Sequence, residues 1–191
     1  YGLDALRAAI AEGRIEFFLA NSGFYVEAHV AHGAAALATA DSSGASTPDA
    51  ALGAAIVVPF DREDLRELSD LRGQRLIASH PRAFGGYQVG LHALWQAGVR
   101  QDDLASERFT GDPPEQLLLD LARGRADAAI LRLCLFERLT ATQQFSRKRY
   151  RVLGALEPSP LGCQRSTPLY PDWPFARLKH TDAAIARRVT I

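Results

Sequence analysis

The chain has 191 residues, of which 47% are hydrophobic and 23% are charged, as in soluble globular proteins. Its 22 Lys and Arg residues balance 22 Asp and Glu residues, so the net charge indicates neither a nucleic acid nor a membrane surface as a partner. No stretch approaches the roughly 18 apolar residues that a transmembrane helix requires, and no signal peptide is visible. The opening directly in a helical pattern is typical of an excerpt from a longer protein.

Apolar strands and amphipathic helices alternate along the chain. The first helix is indicated by apolar Leu3, Leu6 and Ile10, and it stops at Gly13. Further helices or helical turns are predicted at 21–33, 61–73, from the turn after residue 86 to 98, and at 113–124, 134–145 and 182–191. Strands are predicted at 15–20, 34–40, 52–58, 74–79, 106–111, 126–133 and 150–156, with a polar loop at 41–50 and a Pro-rich extended segment at 157–178.

This alternation predicts an α/β architecture with largely parallel sheets. In such sheets, ligands bind beyond the carboxyl ends of the strands, where loops enter helix N-termini. Three strand-to-helix turns are therefore the candidate binding elements of this chain.

The first two turns combine glycine with polar and aromatic residues. The stretch "LANSGFYVEAH" offers the polar side chains of Asn21 and Ser22 and the aromatic hydroxyl of Tyr25. The stretch "ASHPRAFGGYQ" places two glycines at the start of a helix, where free N–H groups can face an anion. Its candidate residues are Ser79, Phe84, Gly85, Gly86 and Tyr87. A simple helix cap and a simple turn remain the alternatives for these two stretches.

The third turn, "ILRLCLFE", places Arg132 directly after an apolar strand. A guanidinium at the end of a buried strand is costly to desolvate unless an anion meets it. That anion is either a ligand or a structural carboxylate such as Asp127 or Glu137. Together the three turns predict a cleft for a small anion.

No motif indicates catalysis, a cofactor or a metal. The chain has no GxGxxG, Walker, HExxH or GxSxG sequence, so a binding module is favoured over an enzyme. Cys134 and Cys163 lack the partners of a zinc site, and we expect two buried thiols, with a disulfide as the alternative. His29 and His32 could share a helix face and bind a metal, although exposed helix histidines are commoner.

Three longer stretches carry a family resemblance over nearly the whole chain. They are "LRGQRLIASHPRAFGGYQ", "RFTGDPPEQLLLDLARGRADAAILRLCLFERL" and "STPLYPDWPFARLKHTD". They resemble the phosphonate-binding-protein-like family of periplasmic solute-binding domains, and more narrowly its branch of histidine-kinase sensor domains, which includes tetrathionate sensors. "AFGG" after a strand and "LYP-WPFA" near the end are its most specific parts.

The resemblance implies a bilobal, type II periplasmic-binding-protein clamshell with a ligand in the cleft. Lobe 1 would comprise residues 1–58 and 154–191, without the family's first strand and helix, and lobe 2 residues 59–153. The family's binding positions fall on the turns already chosen, and Thr110 joins them from a neighbouring strand end. The "HPRAFGG" turn replaces the Ser/Thr-rich turn of phosphonate binders, which favours the sensor branch.

The resemblance therefore implies a non-enzymatic, periplasmic sensor domain of a two-component histidine kinase that binds a small, anionic solute without a cofactor. Signalling would follow from lobe closure, and a membrane would be reached only through flanking segments. A free solute-binding protein of an ABC transporter for phosphonate-like oxyanions is the alternative. The residues leave open the identity of the ligand and whether the domain forms a homodimer.

Overall fold

A computed structural model describes residues 2–41 and 52–189 of the chain. These residues form two compact units. Unit 1 contains residues 2–41 and 171–189, and unit 2 contains Leu52–Tyr170. The polar loop predicted at 41–50 falls, apart from its first residue, outside the described residues. The predicted lobe boundaries at 58/59 and 153/154 stay a prediction.

Unit 1 packs helices against a small antiparallel sheet. Its elements are α1 (Leu3–Ala11), β1 (Phe17–Leu19), α2 (Ser22–His32), β2 (Ala35–Thr39), β8 (Pro174–Arg177) and α6 (Ala183–Val189). The strand order is β1-β8-β2, with β8 antiparallel to both neighbours. The core of the unit includes Leu6 and Ile10 of α1, Phe18 of β1 and Phe24 of α2.

The central strand of unit 1 departs from the sequence prediction. Residues 174–177 lie in the segment predicted to be merely extended, yet they form β8. Pro174 lacks an N–H donor and stands at the first position of the strand, one of the places where a sheet tolerates proline. The expectation of largely parallel sheets is wrong for this unit, because a distant segment of the chain inserts between β1 and β2 in the opposite direction.

Unit 2 is built around a five-stranded mixed sheet. Its strands are β3 (Ala54–Pro59), β4 (Arg75–Ala78), β5 (Ser106–Phe109), β6 (Ala128–Arg132) and β7 (Tyr150–Leu153). The strand order is β5-β4-β6-β3-β7, in which β4 is parallel to β5 and β6, and β3 is antiparallel to β6 and β7. The prediction of parallel strands is therefore confirmed for β5, β4 and β6, but it is wrong for β3, which is antiparallel to both of its neighbours.

Helices cover both faces of this sheet. They are α3 (Val89–Gln96), α4 (Glu115–Ala122) and α5 (Leu135–Thr140), with a π-helical turn at Phe84–Gln88 that leads into α3. Alternate residues of β3 enter two separate cores: Ile56 and Val58 pack on one face, and Ala55 and Val57 on the other. Burial on both faces explains why the strands are continuously apolar in sequence.

For the two cysteines, the expectation of buried thiols is wrong and the alternative, a disulfide, is confirmed. Cys134 and Cys163 form a disulfide, with their Cα atoms 5.1 Å apart, and no described cysteine is free. Cys134 precedes α5 in the left-handed backbone region (φ 64°), and Cys163 lies in the Pro-rich segment that follows β7. The bond therefore ties the start of α5 to a segment 29 residues away. Among the described residues, no helix has the length and apolarity needed to span a bilayer.

Candidate functional site

The candidate residues of unit 1 surround the N-terminus of α2 and all have partners within that unit. The Asn21 side chain accepts a hydrogen bond from Phe24 N at 3.0 Å, so it caps the helix as its residue type predicts. Ser22 Oγ donates to the Pro171 carbonyl at 3.3 Å, and the Tyr25 hydroxyl accepts from Ala36 N at 3.3 Å. The structure thus brings these three residues together at one helix end.

The candidate residues of unit 2 gather at the edge where β4, β5 and β6 end, here called the carboxyl edge. Ser79 follows β4, Thr110 follows β5, and Arg132 is the last residue of β6. Parallel pairing continues past the strands, because Thr110 N donates to Ala78 O and Gly111 N donates to Ser79 O, each at 3.0 Å. Since β5, β4 and β6 are neighbours, all three positions share this edge.

The two glycines of the second turn are required by close packing at the carboxyl edge. A Cβ added at Gly86 would lie 2.8 Å from Ser79 Oγ. A Cβ added at Gly85 would lie 3.1 Å from Gly53 O and 3.7 Å from Arg132 Cβ. The turn can therefore pack this closely on Ser79, after β4, and on Gly53, before β3, because it carries no side chain at these positions.

The same turn also begins a helix. Its first helical hydrogen bonds run from Gln88 N to Ala83 O and from Val89 N to Phe84 O. The N–H groups of Gly85 and Gly86 precede these bonds, in the part of a helix whose N–H groups have no partner within the helix. The turn thus combines tight packing with the donor arrangement expected of an anion site.

Arg132 is exposed and has no partner among the carboxylates named for it in the sequence analysis. Asp127 binds Arg62 and Arg75, and Glu137 Oε1 accepts from Gln164 N at 2.8 Å. Within residues 2–41 and 52–189, no side chain forms an ion pair or hydrogen bond with the Arg132 guanidinium. Its charge is therefore available to a solute.

The two aromatic candidates are held by neighbouring side chains. The Phe84 ring packs edge-on against Tyr170, with centroids 5.5 Å apart. The buried Tyr87 hydroxyl donates to Glu107 at 2.6 Å and accepts from Gln101 at 2.8 Å. Burial, followed by the hydrogen bond to Glu107, raises the pKa of Tyr87 well above its usual value. The hydroxyl of Tyr87 is thus occupied inside unit 2.

Sequence reasoning missed three residues that build the carboxyl edge. Gly53 O accepts from Leu133 N at 2.8 Å, directly beside Arg132. Thr167 Oγ1 and Ser166 Oγ accept from the N–H groups of Ala54 and Ile56 at 3.0 and 2.9 Å. Ser166 and Thr167 were visible in the sequence as part of "STP" in the third family stretch. The sequence alone does not show that this stretch lies beside β3.

The chain thus consists of two units of helices and strands, with polar turns at the ends of the strands. This organisation is that of the periplasmic binding proteins. Among solved structures, a Xanthomonas citri protein bound to ATP matches with a TM-score of 0.76 and 16% identity over 98% of this chain and 66% of that one. A Prochlorococcus marinus protein in complex with methylphosphonate matches with a TM-score of 0.62 and 14% identity over 94% of this chain and 62% of that one. These matches establish the type II periplasmic-binding-protein fold.

Residues 2–190 match the family described as ABC transporter, phosphonate, periplasmic substrate-binding protein. The chain belongs to this family, as the resemblance of its sequence motifs indicated. It is also 33% identical, over 98% of its length, to the tetrathionate sensor histidine kinase of Salmonella typhimurium. The chain spans about a third of that relative, 32% of its length.

Metal binding by the paired histidines finds no support in the described part of the chain. His29 Nδ1 lies 2.7 Å from the Ala34 carbonyl oxygen, so this ring contacts the backbone. Among the described His, Cys, Asp and Glu residues, no group of three comes together as a metal site.

Proposed function

We propose that this chain is the extracytoplasmic sensor domain of a two-component histidine kinase and that it binds a small anion. The observation that carries the proposal is the 33% identity to a tetrathionate sensor kinase over nearly the whole chain. The domain itself would bind its solute without catalysis, as substrate-binding proteins of its family do. The Cys134–Cys163 disulfide supports a periplasmic location, because such bonds persist in oxidising compartments.

The anionic character of the solute is supported by the carboxyl edge. Arg132 is exposed there without a described partner, and the Gly85–Gly86 turn begins a helix beside it. A guanidinium can form two parallel charge-assisted hydrogen bonds with a planar oxyanion. We expect Ser79, Thr110 and Phe84 of unit 2 to contribute, with the buried Tyr87 supporting their turn through Glu107 and Gln101, and we expect Asn21, Ser22 and Tyr25 of unit 1 to contribute as well. Closure of the two lobes on the anion would be the signal.

A binding screen with the purified chain tests this assignment. Tetrathionate, thiosulfate, sulfate, phosphate, methylphosphonate and arginine would be compared by thermal shift and then by calorimetry. An anion present at 100 times its dissociation constant adds about 2.7 kcal/mol to the free energy of unfolding. We expect a sulfur or phosphorus oxyanion to raise the melting temperature of the wild type. Stabilisation by arginine alone would contradict an anionic solute.

A second candidate function is delivery of a phosphonate-like solute to an ABC transporter. The family description favours it, as does the similarity of fold to a protein in complex with methylphosphonate. The gene sequence downstream of the codon for Ile191 separates the two functions. A membrane span followed by a kinase core would support the sensor, whereas a stop codon there would support the transporter component.

A further inference from the structure

Unit 2 has a cavity at the opposite edge of its sheet, here called the amino edge. Three strands begin at this edge. Arg75 is the first residue of β4, Asp127 immediately precedes β6, and Tyr150 is the first residue of β7. The cavity has a volume of about 510 Å³, within the range of small-molecule sites. All its lining residues belong to unit 2, and none is a candidate residue of the carboxyl edge.

Three charged residues of the lining, Arg62, Arg75 and Asp127, form a neutral, hydrogen-bonded group together with Asp64, which lies outside the lining. Arg75 binds both carboxylate oxygens of Asp127, at 2.8 and 3.0 Å. Arg62 binds Asp127 as well, and it holds Asp64 through two hydrogen bonds of 2.8 and 2.7 Å. The two guanidinium groups are therefore fixed in place. Among the described residues, Nη1 of Arg75 has no acceptor, so its N–H donors are available at the cavity.

The other side of the cavity carries cations without partners. Lys148 and Arg149 line it, and both are exposed. In the part of the chain that the structure describes, neither side chain forms an ion pair or a hydrogen bond. The exposed carboxylate of Asp61 is the opposing charge in the lining. The cavity therefore has a net positive charge of one beyond the neutral group.

The floor of the cavity is apolar. Leu121 is 2% exposed, Ala126 is 2% exposed, and Tyr150 is 6% exposed with its hydroxyl donating to Leu118 O at 3.2 Å. Phe60 adds a ring that is 59% exposed. An inorganic anion would fill only part of this space and would leave the apolar floor in water. The lining instead matches an anion that carries an aromatic or aliphatic body.

We propose that this cavity is a second binding site, for a small organic anion such as an aryl phosphate or aryl carboxylate. The acidic group meets Lys148, Arg149 and Nη1 of Arg75, and the apolar body packs on Leu121 and Tyr150. The site is separate from the carboxyl edge because the length of the strands lies between them. It does not depend on the proposed sensor function.

Phenyl phosphate is the probe that tests this site, with phenol and inorganic phosphate as its two halves. We expect phenyl phosphate to bind the purified chain at low ionic strength at least tenfold more tightly than either half. In ¹⁵N-labelled protein, the amide shifts should be largest for Gly124, Asp127 and Tyr150. Shifts confined to the region of Ser79, Gly86 and Arg132 would overturn the proposal.

Variants locate the binding. Lys148→Gln and Arg149→Gln should each weaken phenyl phosphate binding about tenfold, because each removes one of the unpaired cations. Arg138→Gln removes the same charge from an exposed residue outside the lining and should leave the affinity unchanged. Arg132→Ala should retain phenyl phosphate binding even if it abolishes binding of tetrathionate. Equal weakening by all three Gln variants, or loss of binding in Arg132→Ala alone, would contradict a second site.

Discussion

The two edges of the sheet in unit 2 use charged residues in opposite ways. At the amino edge, Asp127 holds two arginines, so the ion pairs there stabilise the structure. At the carboxyl edge, Arg132 has no described ion-pair partner, and contacts that do not involve Arg132 hold the chain. Those contacts are the glycine packing, the hydroxyl of Thr167 and the disulfide. An edge that does not use Arg132 for its own stability leaves this guanidinium free for a solute.

The largest effect that we expect is on ligand affinity at the carboxyl edge. Arg132→Ala should weaken tetrathionate binding by about 2–5 kcal/mol, the usual range for truncating one partner of a hydrogen-bonded charge pair that is buried in the complex. Arg132→Lys should weaken tetrathionate binding less than Arg132→Ala does, because lysine keeps the positive charge but cannot form the bidentate hydrogen bonds of a guanidinium. The melting temperature without ligand should stay unchanged, since Arg132 is exposed. Calorimetry and thermal unfolding of the same variant, with Arg138→Gln as control, check both statements. A lower melting temperature with intact affinity would show that Arg132 has a structural role instead.

The disulfide should give the next largest effect, on stability. Replacing both Cys134 and Cys163 by serine should lower the free energy of unfolding by about 3–4 kcal/mol, as the loop-entropy relation gives for 29 residues. Denaturant unfolding measures this, and reduction of the wild type should give the same loss. Native, unreduced protein should show no free thiol. Two titratable thiols in that state would contradict the bond.

At the amino edge, removal of a single carboxylate should destabilise the fold. Asp127→Ala leaves Arg62 and Arg75 without their shared partner and should cost about 3 kcal/mol. We expect a value at the low end of the destabilisation measured for broken buried ion pairs, because the Arg75 side chain is 44% exposed and water can solvate it. Asp102→Ala is the matched control, an exposed carboxylate whose loss should change stability by less than about 0.5 kcal/mol. Equal stability of the two variants would refute the structural role of Asp127.

Local chemistry predicted much of the carboxyl edge and little of the amino edge. The glycine turn after β4 and the position of Arg132 at a strand end follow from residues that are adjacent in sequence. Asp127, in contrast, pairs with arginines 52 and 65 residues away, and no periodicity indicates such a pairing. The same holds for β8, whose four residues begin with proline and pair with two strands more than 130 residues earlier in the chain.

The disulfide stayed only an alternative in the sequence analysis for a related reason. Two cysteines at an arbitrary spacing predict neither their proximity nor their oxidation state. Proximity depends on how the Pro-rich segment after β7 returns toward the start of α5. One contact that fixes this return is the hydrogen bond from Gln164 N, next to Cys163, to Glu137 Oε1, three residues after Cys134. Such contacts become visible only in the folded chain.

The glycine packing gives a smaller stability effect. A Cβ at position 90 would lie 2.6 Å from Ile130 Cγ2, in the core of unit 2. Gly90→Ala should therefore destabilise the chain by about 1–3 kcal/mol through overpacking, although alanine is the better helix former. Gly2→Ala is the control, because a Cβ there meets no atom within 4 Å. Denaturant midpoints of the two variants measure the difference. A stabilised Gly90→Ala variant would contradict the close packing of α3 on β6.

The smallest effect concerns the pH dependence of stability, which should differ between the two edges. Hydrogen bonds from Arg75 lower the pKa of Asp127, against the opposing effect of burial, and further bonds from the Arg75 backbone and from Arg62 add to this. Because the folded-state pKa lies below the unfolded one, the stabilisation is complete above the unfolded value of about 3.9 and is lost as the pH falls toward the folded value.

Asp127 should therefore contribute at most about 1 kcal/mol of destabilisation between pH 7 and pH 3.5, since partial exposure of its arginine partners screens the interaction. Urea unfolding of the wild type and of Asp127→Asn at both pH values measures this contribution. The variant should be less stable at pH 7 and should lose less stability on acidification, because its amide cannot take up the proton. Arg132→Ala should follow the wild-type pH dependence, since Arg132 contacts no described carboxylate. If the loss on acidification were the same in Asp127→Asn as in the wild type, the amino-edge ion pairs would not contribute to the acid sensitivity of the fold.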